Sequence, residues 1–121
     1  MSVSRYEDLE VWQISFELTK AIYLLTKRDG FARDFVLKDQ IRRASVSTMA
    51  NCAEGFARVS KREFIRFLDI ARASAMEVQS LLHLAFSERY ITKQEFDEMY
   101  KLCGRLRFAT TSLIRHLRTQ L

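Results

Sequence analysis

Apolar residues recur along this chain at intervals of three and four, the spacing of helices that each bury one face. Leu9, Trp12, Phe16 and Tyr23, with Leu18, Ile22 and Leu25, predict a first helix over residues 6–26. Its apolar stripe is wide, which suits contact with more than one neighbour, inside the fold or across subunits. A second helix is expected over 35–58, where Leu37, Ile41, Ala44, Thr48, Cys52 and Gly55 fall near one face at about 100° per residue. Phe64, Leu68, Ala71, Ala75, Val78, Leu82 and Ala85 alternate four and three apart and predict a third helix over 61–86. Phe96, Met99, Cys103, Leu106, Thr110, Leu113 and Leu117 repeat that seam in a fourth, over 93–118. Such heptad seams belong to left-handed bundles.

The links between these stripes are short. Gly30 marks the first, between Lys27 and Asp34, as a residue free to adopt positive φ after a helix. Asp34 is placed to cap the second helix, and Phe31 and Phe35 are expected to plug the bundle end. Ser60-Lys61-Arg62-Glu63 and Thr92-Lys93-Gln94-Glu95 both match the capping box, in which the first hydroxyl and the last side chain satisfy each other's backbone amides. Val59 precedes the first box and is expected to pack with Phe64 or Phe67. Among the small residues of the second helix, Gly55 reads as a point of close helix approach, because glycine inside a helix costs about 1 kcal/mol relative to Ala. Four matched helices with short links imply an all-α, antiparallel, up-down-up-down four-helix bundle spanning residues 1–121 as one domain.

Composition narrows the function classes. The chain has three glycines and no proline, with 48% hydrophobic residues, a globular rather than a disordered balance. No apolar run is long enough to cross a membrane, and the opening MSVSRYEDLEVW has no secretory pattern. A cytoplasmic protein is expected. Cys52 and Cys103 read as reduced core residues. His83 and His116 lack partners at metal-ligand spacing. No Glu-x-x-His, glycine-rich phosphate loop or nucleophile with a local base is present. Neither an enzyme nor a cofactor is expected.

Net charge is +5. From Lys38 to Arg62 there are six basic residues against Asp39 and Glu54. Arg42, Arg43, Arg58, Lys61 and Arg62 are therefore the candidate nucleic-acid-binding residues, by charge-driven contact with phosphates. The same residues also fit an ordinary solvated face, or arginines that hold subunits together. Arg105, Arg107, Arg115, His116 and Arg118 follow an acidic start in the fourth helix, an order that complements the helix dipole. Asn51 and Glu54 are expected to lean toward the core side of the second helix. A carboxylate there needs a basic partner, and Arg58 or Arg72 would supply it. Asn51, Glu54 and Arg72 are the expected structural polar network.

The segment LKDQIRRASVSTMANCAEGFARVSKREFIRFLDIARASAMEVQSLL, residues 37–82, resembles the four-helix bundle family of proteins encoded in intervening sequences of bacterial 23S ribosomal RNA genes. The opening YEDLEVWQISFELTKAIYLLT, residues 6–26, is similar to that family's first helix. The likeness extends to the accessory variability protein of diversity-generating retroelements. It rests on Gln40, Arg42, Arg43, Ser47, Asn51, Glu54, Gly55, Arg58, Ser74 and Glu77, and is weak in the fourth helix. Met49 and Ala32 stand where the family usually has proline, and Ala73 where it has glycine. The resemblance implies a homo-oligomer, often a pentamer, and in the retroelement relatives a basic surface that meets nucleic acid and a nucleic-acid enzyme. Two readings follow: an oligomeric scaffold for nucleic acid or its enzyme, or a structural, protein-interacting oligomer with no nucleic-acid role.

Overall fold

Tyr6 sets how the chain enters its first helix. Its ring meets the edge of Trp12 at 5.3 Å, and this contact anchors a single 3-10 turn, Tyr6–Asp8. The helix expected from residue 6 therefore starts later, as α1, Glu10–Thr26. The computed structural model describes residues 3–121. After α1 come a short helix α2, Asp29–Arg33, then α3, Phe35–Ala57, α4, Lys61–Ser87, and α5, Lys93–Arg118.

The segment expected as a loop thus contains one helical turn, and Gly30 lies inside it. No glycine in the described chain has positive φ. Gly30 serves close approach instead, since a Cβ there would lie 3.3 Å from the Tyr90 ring. Phe31 is 1% exposed and stacks on Tyr90 with centroids 5.1 Å apart. Phe35 is 65% exposed, with the Lys38 ammonium 4.8 Å from its ring centroid, so only Phe31 plugs the bundle end.

Asp34 caps α3 as expected, accepting from the Leu37 amide at 3.1 Å. The box at Ser60 is half formed. Ser60 Oγ accepts from the Glu63 amide at 3.3 Å, but the Glu63 carboxylate turns to Arg66. Val59 is fully exposed and packs on neither Phe64 nor Phe67. The Thr92–Glu95 box is complete. Between them, α4 closes with Arg89 at φ 63°. The Arg89 amide donates to Phe86 and the Tyr90 amide to Ala85, the paired bonds of a Schellman end.

Each long helix packs on two others, in the order α1, α3, α4, α5 and back to α1. The short links after α3 and α4 reverse the chain at each step, giving the up-down-up-down bundle. Leu18, Ile41, Leu68, Leu82 and Leu106 are fully buried at its centre. Gly55 is the expected contact point: a Cβ would lie 2.8 Å from Phe67 Cβ and 2.9 Å from Phe64 Cδ1. Cys52 and Cys103 are free and buried, and burial pushes their thiols up to about 11 and about 12. Among the described residues, no helix is long and apolar enough to cross a membrane.

Candidate nucleic-acid interface

The five candidate basic residues do not form one patch. Arg42 and Arg43 lie in the first half of α3, whereas Arg58, Lys61 and Arg62 flank the α3–α4 link. Sixteen residues at 1.5 Å each put about 24 Å of helix between Arg42 and Arg58. At the link end, Arg58 sits over the Phe67 ring, 4.8 Å from its centroid, and Lys61 and Arg62 are exposed.

At the other end Arg42 is held firmly. Its Nε donates to Thr26 Oγ1 at 2.8 Å, and its guanidinium lies over Tyr23, 4.3 Å from the ring centroid. Thr26 is fully buried. Its hydroxyl donates to the helix carbonyls of Ile22 and Tyr23, which fixes it as the acceptor for Arg42. Beside this pair runs a groove of about 560 Å³ lined by Tyr23, Asp39, Arg42, Arg43, Val46 and Ser47. A second groove, lined by Thr19, Lys20, Tyr23, Leu24 and Lys27, meets it at Tyr23. Arg42 and Arg43 line the groove at Tyr23, and Lys20 and Lys27 line the adjoining one, with the Lys20 ammonium 4.6 Å from the Phe16 ring centroid; Asp39 is the acid lining these grooves.

The expected Asn51–Glu54–Arg72 network does not form. Glu54 is exposed, because the 17 residues after Leu37 turn it roughly 100° away from that buried position. Asn51 instead donates to the Ser47 carbonyl at 2.8 Å and to Ser47 Oγ at 3.0 Å. Ser47 Oγ lies 2.8 Å from Ser74 Oγ of α4, so the bridge between helices is made of hydroxyls. Arg72 reaches α5, donating to Thr111 Oγ1 at 3.1 Å, and pairs with Asp69.

The opposite seam of the bundle has another character. Between α4 and α5 a groove of about 620 Å³ is lined by Arg72, Ala73, Met76, Gly104, Arg107 and Phe108, among others. Phe108 is 75% exposed and Met76 51%. Arg107 donates to Gln79 Oε1 at 2.9 Å, while its buried Nε has no partner among the described residues. Among the described residues, no group of three His, Cys, Asp or Glu side chains is placed to hold a metal ion.

Residues 7–112 match the family described as 23S rRNA-intervening sequence protein. The chain belongs to this family. A solved structure of similar fold, with TM-score 0.79 and 26% identity, covers 87% of this chain and 95% of its own. It is described as a protein with unknown function from the S23 ribosomal protein family of Bacteroides thetaiotaomicron VPI-5482. No curated protein matches. In this member of the intervening-sequence family, α3 runs unbroken through Met49, where the resembled pattern has proline. Ala73 lines the α4–α5 groove.

Sequence reasoning found Arg42 and Arg43 but missed Tyr23, Thr26, Lys20 and Lys27. Periodicity assigned Tyr23 to the buried stripe of α1. Lys20 and Lys27 sit three before and four after it, one turn away on either side. That spacing was the available signal.

Proposed function

We propose that this protein is a non-enzymatic, cytoplasmic homo-oligomeric bundle that binds nucleic acid through basic surface on α3 and its neighbours. The observation that carries this reading is the state of the cations. Arg5, Arg28, Arg66, Arg72 and Lys93 are each in an ion pair within the chain. Arg42, Arg43, Arg58, Lys61 and Arg62, like the other ten lysines and arginines, are in none among the described residues. Their charge is available to an external polyanion. The family resemblance adds weight through its basic-surfaced retroelement relatives, and supplies the expectation of a pentamer.

The α4–α5 seam favours the second half of the proposal, assembly. An exposed phenylalanine and an exposed methionine suit burial against another subunit. In the cyclic order of the bundle this seam lies opposite the α1–α3 seam. Assembly through one leaves the other open, and an oligomer repeats the basic surface with each copy. A partner enzyme acting on nucleic acid fits the same surface.

Titration of labelled RNA and DNA between about 50 and 300 mM salt tests the reading, because each neutralised phosphate releases counterions and steepens the salt dependence. The expected result is binding to all polynucleotides with weak sequence preference. The R43A/K61A/R62A variant should bind several-fold more weakly while keeping its helical circular dichroism. No binding by the unmodified protein at about 50 mM salt, where electrostatic attraction is strongest, would overturn the nucleic-acid reading.

A further inference from the structure

Resting on that reading, we propose that the phosphate-binding centre is the α1–α3 groove around Tyr23, with Arg42 as its fixed anchor and the link-end cations outside it. A surface arginine ordinarily loses rotamer freedom when it grips an anion. Arg42 has already given that freedom up. Its Nε is held by buried Thr26 and its plane by Tyr23. Its two terminal amino groups have no acceptor among the described residues, and they form the end-on fork that matches two phosphate oxygens. Arg43, one residue on, lines the same groove. Lys20 and Lys27 of α1 line the adjoining groove, the Lys20 ammonium resting over Phe16 and within a turn of Tyr23. Arg58 at the link end lies over Phe67, with no side-chain hydrogen bond among the described residues.

The same geometry says what is read. Arg42 covers one face of the Tyr23 ring, so that face is closed to a stacking base. The groove offers cations and the small side chains of Val46 and Ser47 rather than a row of amides and carboxylates aimed at base edges. The ligand class is therefore the phosphodiester backbone of a polynucleotide, taken without regard to sequence. Asp39 opposes it from the groove wall, and its removal is a gain-of-binding test.

The experiment compares variants of the full chain for binding to a labelled single-stranded RNA of mixed sequence, across the same salt series. R42A is expected to lose at least tenfold in affinity, and R42K most of that, since lysine keeps the charge without the fork. K20A/K27A should flatten the logarithmic salt slope by about 0.7 for each phosphate of a single strand that is no longer neutralised. T26V should weaken binding severalfold with the slope unchanged, because it frees the anchor without removing a charge. D39N should tighten binding. Thermal melts confirm that each variant is folded, and R42Q provides a second neutral side chain that still packs on Tyr23. If the unmodified protein binds RNA but R42A, R42Q and K20A/K27A all bind equally well, the Tyr23 site is overturned and the proposed function stands. Loss confined to R58A/K61A/R62A has the same meaning. If the unmodified protein binds anionic lipid vesicles but no RNA, both fall.

Discussion

At the scale of single residues, Gly55 and Gly104 make opposite demands. A methyl group at Gly55 would lie within 3.0 Å of Phe67 Cβ and the Phe64 ring, atoms close to the α4 backbone that cannot swing aside. Overpacking of this kind costs about 1–3 kcal/mol, more than the roughly 1 kcal/mol of helix propensity that alanine restores. At Gly104 an added methyl meets nothing within 4 Å. Gly55→Ala should therefore lower the denaturation midpoint, and Gly104→Ala should raise stability by about 0.5–1 kcal/mol, as denaturant melts would measure. The role of Gly55 was legible because its helical cost asks for a packing reason. The anchor at Arg42 was only half legible. Its charge stood out, but the acceptor it needs, Thr26, is sixteen residues away on another helix, and no local spacing relates the two. Glu54 was legible in principle and misplaced: 17 residues at 100° each already turn it about 100° from Leu37, and its direction is outward.

Two junctions set the elements, and each makes a prediction. Glu95 completes the cap of α5 and pairs with Arg28 at the start of α2. The Arg28 hydrogen bonds, then the Thr92 amide, bring its carboxyl down to about 2. A carboxyl held below its ordinary value adds stability above pH 4.5, and that stability is lost as pH falls from there toward 2. Arg28 is half exposed, so solvent screening limits the contribution to about 1 kcal/mol. Glu95→Gln should be less stable than the unmodified protein at about pH 7, and thermal melts of the two should converge near pH 2. The other junction is the end of α4, where Arg89 holds left-handed backbone. Replacing it with glycine should stabilise the fold by roughly 1 kcal/mol, since glycine adopts that conformation without a Cβ clash. The helices and the Thr92 box were readable from spacing because both are local patterns. The helical turn at Asp29–Arg33 and the lid formed by Phe31 and Tyr90 were not, since they depend on a ring arriving from the far end of α4. The half-open box at Ser60 failed for a related cause: Arg66, one turn on, competes for the Glu63 carboxylate.

For the whole molecule, the cyclic order α1, α3, α4, α5 assigns the two least conventional surfaces to opposite sides. The α1–α3 seam carries cations outside any ion pair, along grooves that meet at an exposed tyrosine. The α4–α5 seam carries Phe108 standing beside Gly104, with grooves on both sides of the ring. A projecting ring next to a position with no side chain gives a knob and a hollow, a relief that packs on a partner surface better than on water. A bundle face of this size should bury on the order of 800 Å² per partner to hold a stable contact, and the exposed ring at its centre is then the most sensitive point. Phe108→Glu places a charge there without touching the bundle core. It should leave helix content and RNA binding per subunit intact, while sedimentation equilibrium shifts from an oligomer to the 14.3 kDa monomer. Linked binding by several copies should disappear with it, so the salt dependence measured against long RNA should flatten toward that of one site. An unmodified protein that sediments as a 14.3 kDa monomer at micromolar concentration would remove the assembly, and with it the multiplication of the basic site. A Phe108→Glu variant that still assembles would move the subunit contact to another face, the wide stripe of α1 being next in line.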